Sequence, residues 1–382
     1  MGNLDSAVAW LRGQGAAAER LVARLVEVNS FSRNVAGVNA VVAIVEAELA
    51  RAGLRTARIP SRQGFGDHLW LESAAPGARA FLVGHTDTVF PPGSFEGWSV
   101  EGDVGRGPGA FDMKGGVAVI VLALQALARE GLLARVPVCG LLVSDEEVGS
   151  PESQPILHER ARGAACALGF ESGREEDLVV TLRKGVAAVP VEAHGVAAHA
   201  GNEPEKGRSA IWALARFTDR VQRLSDPARG TSASVGTFHG GTSKNTIPAH
   251  ARCEVDLRFL TPEDGDALFA ALDAAAREAA IEGTRIEIGA ATRRPPLVRT
   301  EANAALAAAY GACQREAGLG AGEASLAGGG SDAATTAAVG VPSIDGLGPR
   351  GAGFHTPGEL IELSSLVPKA EALARFLARR AG

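Results

Sequence analysis

After Gly185 the chain runs strand "VAAVPVEA", helix "GRSAIWALARFTDRVQRL", strands "SASVGTF" and "ARCEVDLRFL", helix "EDGDALFAALDAAAREAA" and strand "TRIEIGA". This β-α-β-β-α-β order is ferredoxin-like and occupies about a hundred residues. It interrupts a different rhythm. Before it come two helical stretches, "AERLVARLVEV" and "VNAVVAIVEAELARAGL", and then buried-strand runs "AFLVG", "VPVCGLLV" and "ACALGF", with the helix "GGVAVIVLALQALAREG" between the first two runs. From about residue 300 an α/β alternation returns with "ANAALAAAYGACQREAG", "VPSIDGL" and "SSLVPKAEALARFLARRAG". The pattern predicts an α/β domain with helices on the faces of its sheet, discontinuous over 1–184 and 295–382, and an inserted α+β domain over 185–294. A chain of 382 residues exceeds what one core usually organises, which agrees with two domains.

A net charge of −6 argues against a partner bound by broad phosphate neutralisation, so no nucleic acid is expected. Apolar residues at 46% and charged residues at 21% describe an ordinary globular chain. Cys139, Cys166, Cys253 and Cys313 form no C-x-x-C pair and read as buried free thiols. The first 28 residues carry Asp5, Arg12, Glu19, Arg20 and Arg24, which leaves no apolar core for a signal peptide. No segment reads as a membrane span. A reducing, cytoplasmic location is the expectation.

In an open α/β sheet, ligands bind beyond the carboxyl ends of the strands. "AFLVG" runs into His85 and Asp87, "VPVCGLLV" into Ser144, Asp145, Glu146 and Glu147, and "ACALGF" into Glu171. Asp112 precedes a helix in "GPGAFDMKGG", and His355 follows "VPSIDGLG" in "GFHTPGE". Singly, His85 reads as a core histidine, Asp112 as a helix N-cap and Glu171 as a loop carboxylate. Five separate strand or loop ends delivering such groups to one edge point instead to metal. Two imidazoles and three carboxylates without cysteine suit zinc, or cobalt or manganese. One acid too many for a single tetrahedral ion suggests two ions sharing a carboxylate. Glu146 is then left over as a general base.

"HTDTV", "GPGAFDMKGG", "SDEEVGS", "GFESG" and "GGGSD" followed by "FHTPGE" together resemble the M20 metallopeptidase family, and most closely its glutamate carboxypeptidase, or carboxypeptidase G2-like, branch. The resemblance implies a zinc-peptidase-like catalytic domain, its mixed sheet covered by helices on both faces, with a ferredoxin-like lid that also dimerises. It implies two Zn²⁺ per subunit, with Co²⁺ or Mn²⁺ as substitutes. Asp112 would bridge them, with His85 and Glu171 on one and Glu147 and His355 on the other. Glu146 would be the base, and Asp87 would orient His85. A cis peptide is expected between Asp112 and Met113. His199 in "GVAAHAGNEP" would reach the scissile carbonyl of a partner subunit. Asn245, Arg258 and Arg294 would hold substrate, with Gly329 and Gly330 lining its pocket. The implied activity releases a C-terminal amino acid, glutamate by branch, from a peptide or N-acyl substrate. Met113 resembles instead the deacylase branches, such as acetylornithine deacetylase and succinyl-diaminopimelate desuccinylase, which keeps an N-acyl-amino-acid deacylase open. Arg183 and Lys184 read as a solvated hinge.

Overall fold

Short runs of valine, leucine and alanine form the inner strands of a six-stranded sheet, because their buried backbone groups are satisfied only when both edges are paired. The computed structural model describes residues 2–380. It divides into two units. The first runs to Leu182 and takes in Arg299–Leu326 and the chain from Ser331, and the second comprises Arg183–Val298 with Ala327–Gly330.

In the first unit the strand order is Arg55–Ile59, His68–Glu72, Val138–Val143, Ala80–His85, Cys166–Gly169, Ser343–Ile344. The last four run parallel and the first two antiparallel, so the sheet is mixed. Alternate residues face opposite ways. Leu82 and Leu142 pack among helices Gly115–Arg129 and Leu363–Arg379, while Phe81, Val83 and Leu141 meet Leu157 and Ala333 on the other side. Both faces are therefore covered, and every residue of Ala80–His85 and Val138–Val143 is buried. A smaller sheet, Gly351–Ala352, Leu360–Glu362, Val104–Arg106 and Ser99–Glu101, carries the segment with His355 between its first two strands.

Several sequence expectations change here. Three helices open the chain rather than two, because Gly2–Arg12 precedes Gly15–Val26 and Val35–Arg51. The antiparallel strands Arg55–Ile59, at the edge, and His68–Glu72, beside it, went unread, since the first is largely exposed and lacks a strong apolar run. Residues Ala110–Arg129 do have the length and composition of a membrane span, with a mean hydropathy of 1.6 over their most apolar 18 residues. That helix is a core element, since 89% of its most apolar window is buried inside the protein. All four cysteines are buried and free.

The second unit has the ferredoxin-like arrangement. Its main sheet runs Ser232–Gly240, His250–Phe259, Gly185–His194, Arg285–Ile288, all antiparallel. Helices Ala210–Gln222 and Pro262–Ala279 cover one face, sharing a core with Ala187, Val189, Val191, Val255, Leu257 and Phe259. Ser209 and Thr261 cap these helices by accepting from the N–H groups of Trp212 and Asp264. The alternating burial of Gly185–His194 and His250–Phe259 leaves the opposite face open, with Glu192, His194, His250, Arg252 and Glu254 among its residues.

Candidate active site

His85 ends the strand Ala80–His85 and is fully buried. Its Nδ1 lies 3.0 Å from the Asp87 carbonyl oxygen and 3.5 Å from Asp87 Oδ1. This fixes the ring so that Nε2 faces Asp112 Oδ1 at 3.1 Å and Glu171 Oε1 at 3.8 Å. On the other side of Asp112, Oδ2 lies 3.4 Å from His355 Nε2, which is 3.2 Å from Glu147 Oε2. The carboxylate of Asp112 thus presents one oxygen to each of two His–Glu pairs.

Asp87 organises more than one histidine. It accepts a hydrogen bond from Ser32 Oγ at 2.6 Å and from the backbone N–H groups of Glu146 and Glu147 at 3.2 and 3.3 Å. One buried carboxylate therefore sets the His85 ring and holds the turn that carries both glutamates. Asp145, just before them, accepts from the N–H groups of Glu152 and Ser153 at 2.8 and 3.1 Å, which pins the far end of that turn to the following helix.

The Asp112 turn has its own anchor. Glu359, fully buried, accepts from the backbone N–H groups of Gly109, Phe111 and Asp112 at 3.1, 2.8 and 2.9 Å. The Asp112–Met113 peptide is cis. Met113 is buried and its sulfur accepts from the His85 backbone N–H at 3.2 Å. A Cβ on Gly84 would lie 2.5 Å from the Met113 methyl, and one on Gly116 would lie 2.0 Å from the Phe170 carbonyl oxygen. Glycine at both positions lets the Asp112 turn and its helix press against the exits of the strands that supply His85 and Glu171. His355 adopts a left-handed backbone with φ of +62°, uncommon for a residue with a Cβ, and its side chain is half-exposed.

The electrostatics call for a cation. Burial and the nearby Asp112 charge push Glu147 up to about 8, and the same two causes, in the same order, hold Glu171 well above the usual carboxylate range. Burial opposes the charge on His85, yet its hydrogen bonds to Asp112 and Asp87 hold it well above the ordinary imidazole value. Hydrogen bonds to Asp112 and Glu147 push His355 up to about 10. Burial works against ionised Asp112 too, but His355 and His85 keep its carboxyl low. Carboxylates that would otherwise take up protons are what a bound dication keeps ionised. Glu147 Oε1 is buried without a hydrogen-bond partner, and His85, Asp112 and Glu147 offer donor atoms within 4.8 Å of one another. The donor set fits divalent metal, and His85, Asp112, Glu147, Glu171 and His355 could hold it.

The remaining expected residues lie in the second unit. His199 pairs with Thr246 across a two-stranded ribbon, and its Nδ1 accepts from the N–H groups of Gly201 and Asn202 at 3.2 and 3.0 Å. These bonds leave the ring proton on Nε2. Asn245 lies beside it, its carbonyl accepting from the Ala200 N–H at 2.9 Å. Arg258 donates Nε and Nη2 to Asp256 at 2.8 Å each and Nη1 to the Gly328 carbonyl at 3.1 Å. Its fork, expected to grip a substrate carboxylate, is held by Asp256. Arg294 is buried, with its Cδ 3.1 Å from where a Cβ on Gly330 would sit, whereas Gly329 has open space there. Arg183 is no solvated hinge: it is 4% exposed and donates to the Gly329 carbonyl at 3.3 Å.

Sequence reasoning missed Glu359 and Asp145 as supports. Glu359 lies four residues after His355 in "FHTPGE", so its place in the motif was the available signal.

The profile of Peptidase family M20/M25/M40 matches residues 81–379. Carboxypeptidase G2 of Pseudomonas sp. (strain RS-16) is 31% identical over 360 residues, 93% of this chain and 87% of that protein. Succinyl-diaminopimelate desuccinylase of Xanthomonas oryzae pv. oryzae (strain PXO99A) is 30% identical over 348 residues, 85% of this chain and 89% of that protein. In fold, the Bacillus subtilis YXEP protein, a dinuclear metal binding peptidase from the M20 family, superposes with a TM-score of 0.68 at 17% identity, over 97% of this chain and 99% of that one.

Proposed function

The chain belongs to peptidase family M20/M25/M40, and on that premise we propose that it hydrolyses the amide joining a C-terminal amino acid, glutamate foremost, to a peptidyl or acyl group. Metal-dependent cleavage of a peptide or amide bond is the chemistry of its family, and the chain is a metallohydrolase of that kind. The observation that supports a two-metal centre is Asp112, whose Oδ1 faces His85 at 3.1 Å and whose Oδ2 faces His355 at 3.4 Å, and the glutamate preference rests on the similarity to carboxypeptidase G2.

In this reading His85, Asp112 and Glu171 would hold one zinc ion, and Asp112, Glu147 and His355 the other, with cobalt or manganese as substitutes. When bound, the pair polarises the scissile carbonyl and makes the attacking water more acidic. Glu146, its backbone N–H held by Asp87, takes the proton of that water and passes it to the leaving nitrogen. His199 of a partner subunit, with its ring proton on Nε2, donates to the developing oxyanion. Asn245, Arg258 and Arg294 bind the terminal amino acid beside Gly329 and Gly330. For Arg258 this requires that Asp256 yield part of the guanidinium fork. We place the enzyme in the cytoplasm as a homodimer joined through the second unit. Its four free, buried cysteines fit a reducing compartment.

Glu146→Ala tests the mechanism. The variant should keep the metal content of the wild type and lose hydrolysis of an N-acyl-glutamate by about 10²–10⁴-fold. Full activity in a zinc-loaded variant would overturn the role of Glu146. The similarity to desuccinylases and Met113 favour a second reading, removal of an acyl group from an amino acid. Rates across substrates varied at the acyl and amino-acid ends separate the two.

A further inference from the structure

On the open face of the second unit's sheet, two histidines and two glutamates converge. His194 and His250 sit directly opposite each other on neighbouring strands, and Glu192 is directly opposite Glu287 on the next pair. His250 Nε2 lies 3.2 Å from Glu192 Oε2, and His194 Nε2 lies 3.6 Å from that same oxygen and 3.1 Å from Glu287 Oε2. Glu192, His194 and His250 offer donor atoms within 4.8 Å of one another.

We propose that Glu192, His194, His250 and Glu287 form a binding site for one divalent cation of the zinc type, separate from the cluster around Asp112.

Three features carry this. Donors about 2.0–2.1 Å from a tetrahedral zinc ion lie roughly 3.3–3.4 Å from each other, and the three contacts of 3.1, 3.2 and 3.6 Å bracket that edge length, with Glu287 reaching the group through His194. Both imidazole Nε2 atoms turn toward a single carboxylate oxygen, as ligands around a common centre do. Glutamates placed directly opposite each other on adjacent strands repel, and a cation between them removes the repulsion. Arg252 stands opposite Glu192 on the other neighbouring strand, and Arg285 donates Nε to Glu287 Oε1 at 2.6 Å, which leaves Glu287 Oε2 toward His194. Two nitrogen donors favour zinc, cobalt, nickel or copper over magnesium or calcium. The ligands come from three strands, so the ion would tie those strands together. The site stands independently of the reaction proposed above.

Zinc bound per chain, counted by equilibrium dialysis of the full-length protein, tests this in wild type, His194→Ala/His250→Ala and Glu192→Gln. Wild type should bind one equivalent more than the double variant, while the two hydrolyse substrate at the same rate. Glu192→Gln should weaken that equivalent at least about tenfold. An Asp112→Ala variant should retain it. Equal zinc counts in wild type and the double variant, with circular dichroism reporting both folded, would overturn the proposal, as would loss of the extra equivalent in Asp112→Ala.

Discussion

The Asp112 cluster and the face bearing His194 and His250 use the same chemistry, imidazoles and carboxylates 3–4 Å apart, in opposite surroundings. Around Asp112 the ligand-bearing turns are anchored by buried supports: Asp87 holds His85 and the Glu146–Glu147 turn, and Glu359 holds the Asp112 turn through three N–H groups. On the sheet face the side chains are about a third to a half exposed, and they meet one another and the exposed Arg285. Burial turns a group of donors into a preorganised site, because in a low dielectric the unmet charges are costly and each support counts. An exposed group of the same composition can bind a cation, but water competes and the strands alone set its geometry.

The sharpest break of this comparison is Asp112→Ala. Losing the carboxylate between two His–Glu pairs should abolish metal binding in the first unit and cut activity on the order of 10³-fold or more, read by metal content and kcat together. Next is the second unit's own core. Leu257→Ala should destabilise that unit by about 2–5 kcal/mol while leaving the metal content of the first unit unchanged, as two-probe urea unfolding and metal analysis would show. Glu359→Gln sharpens the argument about supports: an amide NH₂ facing a backbone N–H should loosen the Asp112 turn and cost about 10–100-fold in metal affinity, with little change in KM at saturating metal. The smallest effect belongs to the exposed face, where His250→Ala should leave kcat/KM within about twofold. A large loss there would show that the two clusters are functionally linked.

Four members of the candidate site were legible because they follow short apolar runs, and a run of that kind predicts where a buried strand ends. His85, Glu146, Glu147 and Glu171 could therefore be assigned to one edge without coordinates. Glu359 was not legible in the same way. It lies more than 240 residues from the N–H groups it accepts, and a lone glutamate in a motif does not announce a backbone cradle. The edge strand Arg55–Ile59 escaped because an exposed antiparallel strand needs no continuous apolar run, and the buried His68–Glu72 because His68 and Glu72 bound its short apolar stretch. Arg183 was misread because charge suggests solvent, whereas its guanidinium packs against the glycine segment.

By itself the sequence determined the two rhythms, one α/β and one ferredoxin-like, and the polar residues at the ends of the inner strands, since hydrophobic periodicity and strand termini are local properties. Only the tertiary structure decided that Asp112 faces both histidines, that Glu359 holds the Asp112 turn, and that His194 meets His250. Those pairings depend on strand register and on turns that bring distant residues together, and no local stretch of chain encodes which of its neighbours in space will be opposite it.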